Sequence, residues 1–193
     1  MLTMNLFSIA RPSMSYQDLV RISLFAALIA VLGLIPKLDL PFTAGVPITA
    51  QTLGVMLAGL ILGARNGGLA VLLFLFVVAL GAPVLSGGRG GLGVFFGPTI
   101  GFLVGWVAGA WACGFLNTQF RKWAPARSYL CALIAALLGG IVVIYAFGIP
   151  GIVLKTELTF VKAFLAAAVF VPGDILKCLI AAWIASRIRP RLL

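Results

Sequence analysis

FVPGDILKC, residues Phe170 to Cys178, sets an acid and a base three residues apart inside an apolar run. The order Pro-Gly-Asp suits a helix start, because proline is tolerated at the first helical position and a carboxylate is favoured at the positive end of the helix dipole. Lys177 then falls on the same helical face as Asp174. From Lys177 to Arg187 the chain is apolar, and those ten residues rise roughly 15 Å, about half of a ~30 Å hydrocarbon core. The pair therefore lies in the outer half of a membrane, facing the helix bundle or a water-filled cavity. Holding an ion there costs about 3 kcal/mol on insertion scales, which makes such residues functional candidates by default. The competing reading is a self-neutralising pair that caps a helix.

The rest of the chain agrees with a lipid solvent. Of its 193 residues 63% are hydrophobic and 9% charged, with a mean hydropathy of +1.21, whereas soluble domains are about 45 to 50% apolar. The fold expected is an all-α integral membrane protein, one domain over residues 1–193. Six spans are read, at Val20–Ile35, Ile48–Leu62, Leu69–Leu80, Pro98–Leu116, Tyr129–Phe147 and Pro172–Ser186. Phe160 to Phe170 reads as the first half of a last helix interrupted at Pro172 and Gly173. The first apolar run follows Arg21 and is succeeded by others, so it reads as a retained helix.

The net charge of +10 would suggest nucleic acid on a soluble protein, but here the cations sit at the ends of apolar runs and report topology instead. With both termini cytoplasmic, residues 1–18 and the basic tail 187–193 are inside. Nine of the 14 cations are then inside as well: Arg11, Arg21, Arg65, Arg121, Lys122, Arg127, Arg187, Arg189 and Arg191. Lys37, Arg89, Lys155 and Lys162 fall outside. The inner connection GARNGG (Gly63 to Gly68) is short. Long outer loops, Pro36–Thr49 and Pro83–Thr99, are expected to lie over a ligand pocket.

Several chemistries are disfavoured. Histidine is absent and there are four acids in all, which argues against hydrolysis and against a metal centre. Cys113, Cys131 and Cys178 are unpaired in spacing and read as small buried hydrophobes. GGRGGLG (Gly87 to Gly93) contains G-x-G-x-x-G, but no strand–loop–helix unit surrounds it and no acid follows at the required distance. No cofactor is called for.

Other residues fit a site or a packing role. Thr49, Gln51 and Thr52 begin the second helix, where their polar groups can face a cavity. Tyr145, at the outer end of the fifth helix, is either an interfacial anchor or a wall of the site. Arg89 is the one cation of its loop, meeting a ligand or water. Gly97, Gly101, Gly105 and Gly109 line one helical face for close packing. Ala26 and Ala30 make a smooth stripe on the first helix, for a partner protein or for internal packing.

Taken in order, PITAQTLGVMLAGLILG, GGRGGLGVFFGPTIGFLVGW and VPGDILK resemble the biotin-specific substrate-binding (S) component of energy-coupling factor transporters, the BioY family. The resemblance runs from about Leu24 to Ala185. It implies a non-enzymatic, six-helix protein of a bacterial or archaeal plasma membrane that captures biotin from outside with high affinity. It further implies partners: a transmembrane coupling subunit, docked on the Ala26/Ala30 stripe, and two ATPase subunits. Asp174 and Lys177 would contact the ligand, with Arg89, Gln51 and Tyr145 as neighbours. After GPT the family continues with two small residues and Tyr, whereas this chain has Ile100, Gly101 and Phe102.

Biotin's chemistry suits these groups. Asp174 can accept from the ureido N–H groups, while Lys177 and Arg89 can meet the ureido carbonyl or the carboxylate, in either assignment. The rival readings are an S component for another vitamin, such as thiamine or riboflavin, and a small channel or proton-coupled transporter using Asp174. An enzyme ranks behind both.

Overall fold

The computed structural model describes residues 14–36 and 49–188. Arg11, Lys37, Phe42, Ile48, Arg189 and Arg191, with most of the loop 36–49, lie outside the described residues. Every regular element within them is helical: α1 (Tyr16–Gly33), α2 (Gln51–Ala79), a short 3-10 turn (Leu92–Phe95), α3 (Ile100–Trp123), α4 (Ser128–Leu137), α5 (Ile144–Lys155), α6 (Phe160–Ala168) and α7 (Val171–Ile188). Four of the described helices are long and apolar enough to cross a membrane, or five when a bent pair is taken as one span. The chain is thus a multi-pass, all-helical membrane protein.

Helix α1 starts on a capping box, Ser15 accepting from the Asp18 amide while the Asp18 carboxylate accepts from Ser15, so the two orphan donors are satisfied. Asn66 Nδ2 also donates to Asp18, at 3.0 Å, tying the start of α1 to α2. The expected loop Gly63–Gly68 is replaced by a single residue. Gly63 has φ 85° and ψ 179°, a region essentially reserved for glycine, and helix resumes at once on the far side. A Cβ on Gly67 would lie 2.7 Å from Gly59 Cα, although eight residues of straight helix would separate the two by roughly 12 Å. The arms 51–62 and 64–79 therefore fold back on each other.

The glycine stripe of α3 packs internally, as its four-residue period leads one to expect. A Cβ on Gly101 would meet Gly151 Cα at 2.8 Å, one on Gly105 the Ile144 carbonyl at 2.8 Å, and one on Gly109 the Gly139 carbonyl at 2.8 Å. That close approach corrects the fifth span, expected to stop at Phe147. Helix persists to Lys155 through Pro150, because Gly148 and Gly151 seat it against Phe102 and Gly101 and the packing outweighs the missing proline N–H. Tyr145 accordingly sits inside a helical run, not at its end. A π-helical segment, Leu138–Val143, joins α4 to α5 and inserts one extra residue, which rotates all that follows by about 100°.

The break expected near Pro172 is present. α6 and α7 meet at a 51° bend, with Pro172 and Gly173 in the first turn of α7, where no intrahelical donor is lost. The first-helix stripe packs against the core. Ala26 is 7% exposed, within the core formed with Phe74, Phe102 and Trp106, and Ala30 is half-buried against it. Exposed large apolar residues of α1 include Leu19, Val20, Leu24 and Val31.

Candidate functional site

The bend before Pro172 delivers Asp174 to the interior as the first acid of α7, 4% exposed. A carboxylate so placed needs compensation. Lys177 Nζ donates to Asp174 Oδ1 at 2.8 Å, to Thr52 Oγ1 at 3.0 Å and to the Thr49 carbonyl at 2.6 Å, an acceptor for each of its three protons. Thr52 Oγ1 donates on to Asp174 Oδ1 at 3.3 Å. On the other oxygen, Tyr145 Oη donates to Asp174 Oδ2 at 2.6 Å. Asp174 Oδ2 retains an acceptor site beyond this bond, since each carboxylate oxygen offers two lone pairs.

The network borders a cavity whose remaining wall is largely apolar, formed by Leu85, Phe102, Leu103, Trp106, Ile144 and Phe170. Phe102 stands edge-on to Tyr145, ring centroids 5.9 Å apart at 79°, and to Phe170, 6.4 Å at 84°. These T-shaped contacts hold the Tyr145 ring and aim its hydroxyl at Asp174. A few polar groups in an aromatic and aliphatic enclosure are the usual make-up of a small-molecule site. Among the described residues no group of three His, Cys, Asp or Glu side chains is disposed to hold a metal ion.

The structure brings all five sequence-predicted ligand residues to this cavity's lining, Asp174, Lys177, Arg89, Gln51 and Tyr145, but not in equal roles. Arg89 reaches it from the outer loop, which turns through Gly87 and Gly88 at positive φ and closes with a Leu85–Arg89 backbone pairing. Its Nε donates to the Ser86 carbonyl at 3.3 Å. Gln51 is buried at 0% exposure with its amide turned toward the protein frame. Nε2 donates to the carbonyls of Ile29 (3.1 Å) and Val84 (3.2 Å), and Oε1 accepts from the Ser86 amide (2.9 Å). Both of its donors are occupied.

Thr99 and Trp106 also line the cavity and were not singled out by sequence reasoning. A signal existed, because Thr99, Phe102, Leu103 and Trp106 follow the i, i+3, i+4, i+7 spacing of one helical face. Phe102 itself drew notice only as a departure after GPT. For Leu85, in a loop without periodicity, no sequence signal points inward.

The BioY family model matches residues 7–193. The biotin transporter BioY of Rhizobium etli is 51% identical over 171 residues, 88% of this chain and 91% of that protein. The biotin transporter BioY of Rhodobacter capsulatus is 48% identical over 176 residues, 86% of this chain and 90% of that one. A crystal structure of the S-component for biotin from an ECF-type ABC transporter matches with a TM-score of 0.84 at 30% identity, covering 90% of this chain and 91% of that chain. Matched by the family model from residue 7 to residue 193, and about half identical to these relatives, this chain belongs to the BioY family.

Proposed function

We propose that this chain is the biotin-capturing S component of an ECF-type vitamin transporter, taking biotin from the outer side of a bacterial or archaeal plasma membrane. The observation that carries the reading is Asp174, a buried carboxylate held by Tyr145, Thr52 and Lys177 beside an aromatic wall. Its second oxygen accepts a ureido N–H of the ligand. The thioether ring packs on the apolar wall formed by Phe102, Trp106 and Phe170. Arg89 meets the ligand carboxylate, for which a guanidinium fork is the better match, while Lys177, its three protons already accepted by Asp174, Thr52 and Thr49, neutralises Asp174.

The fold-back at Gly63 supports counting the arms of α2 as two spans. With α1, α3, the run from Ser128 to Lys155, and α6 with α7, they make six in one membrane domain of residues 1–193, with residues 1–18 and the tail 187–193 inside. A transmembrane coupling subunit and two ATPase subunits energise delivery inward. With Ala26 buried, the coupling subunit meets the outward face of α1 at Val20, Leu24 and Val31.

The test is equilibrium binding of biotin, thiamine and riboflavin to the detergent-purified chain. Saturable binding of biotin alone is expected. Absence of saturable biotin binding with the helical fold intact overturns the proposal, and ion flux through liposomes of this chain alone, lost in Asp174→Asn, replaces it with the channel reading.

A further inference from the structure

Gln51 joins three parts of the protein that the sequence keeps far apart: the last turns of α1 through Ile29, the start of α2 through its own backbone, and the outer loop through Val84 and Ser86. The loop residues it grips are next to the ones that face the cavity. Leu85 stands between Val84 and Ser86, is 2% exposed and lines the cavity, and Arg89 is bonded back to the Ser86 carbonyl. The approach is built in from the α1 side as well. A Cβ on Gly33 would collide with the Val84 carbonyl and lie 2.8 Å from Gln51 Nε2, so the glycine at the end of α1 leaves the room in which the loop and the amide sit.

We propose that Gln51 is a latch: it fixes the loop carrying Leu85 and Arg89 to the α1–α2 frame and thereby sets how long a bound ligand is retained. Gln51 is thus a positioning residue that acts through the loop. The inference rests on the biotin-binding reading for its functional consequence, but the latch itself is a property of the ligand-free protein. Removing it leaves the Ser86 amide and the Ile29 and Val84 carbonyls without this partner, a change that a buried site feels strongly.

Two measurements on the full-length purified chain test it, with Gln51→Leu, Gly33→Ala and the double variant. In biotin kinetics, each single variant is expected to release biotin about tenfold faster or more with association nearly unchanged, as interface loosening usually acts on dissociation. The double variant releases it no faster than the worse single variant, because both perturb one contact. In hydrogen exchange on the ligand-free chain, the Ser86 amide is expected to exchange about tenfold faster or more in either single variant while amides in the middle of α3 keep native rates. Slowed association with native dissociation, additive effects in the double variant, or a native exchange rate at Ser86 overturns the latch. A native chain that binds no biotin refutes the functional reading alone, and the exchange measurement then still decides the latch.

Discussion

Replacing Lys177 by Met removes the one cation 2.8 Å from Asp174 while keeping the length of the side chain. The carboxylate it leaves is 4% exposed, held among the described residues by the hydroxyls of Tyr145 and Thr52 at the start of α7. Breaking a buried pair from one side costs about 3 to 5 kcal/mol, because the surviving charge stays desolvated and uncompensated. At about 2 to 4 °C per kcal/mol for a chain of this size, the unfolding midpoint in detergent should fall by on the order of 10 °C. Asp174→Asn/Lys177→Met carries no buried charge and should regain most of that loss, while binding biotin no better than either single variant. The assay is thermal unfolding of the three variants and the native chain, with equilibrium biotin binding on each at a temperature where all are folded. A double variant as unstable as Lys177→Met would refute the argument, since the loss would then come from packing. A double variant that binds biotin with native affinity would refute the role of the pair in the site.

Other outcomes follow from single contacts. Tyr145→Phe keeps the ring against Phe102 and removes only the 2.6 Å bond to Asp174; losing a bond to a charged group costs about 1.5 to 3 kcal/mol of stability, so the unfolding midpoint should fall by roughly 3 to 12 °C, and an unchanged midpoint would contradict it. Gly63→Ala places a side chain at φ 85°, a strain of about 1 to 3 kcal/mol, measurable as a lowered unfolding midpoint, and no change would dispute the fold-back. Gly101→Val drives its side chain into the backbone of Gly151 and should abolish recovery of folded, monodisperse protein in detergent. Normal yield would deny the close approach of α3 to α5.

Much of the outline is legible in local sequence. Hydropathy reports the solvent around each segment, so the membrane fold, the run of helices and the interruption before Pro172 needed no tertiary knowledge. The i, i+3 spacing of Asp174 and Lys177 brings the pair together on any helix, and the four-residue glycine period marks a face for close packing. Local pattern also misled. GARNGG has the composition of a loop, yet Gly63 alone makes the reversal because only its φ and ψ are unusual, and Pro150 looks like a helix end until glycines on both sides press the helix against α3.

What tertiary structure decided is which distant groups meet. Tyr145 reaches Asp174 across 29 residues and Thr49 reaches Lys177 across 128, contacts that depend on the rotation of each helix about its axis. That rotation is set by packing, and the single extra residue in the π segment before Ile144 turns α5 by about 100°. The same holds for Ala26, which looks like part of a smooth outer stripe in sequence and faces the core in the fold. Gln51 is the sharpest case: its residue type suits a ligand contact, and only the carbonyls of Ile29 and Val84 and the amide of Ser86 turn it into part of the frame. Residue type and spacing determine what a group can bond, whereas the packed arrangement of helices determines which partner it finds.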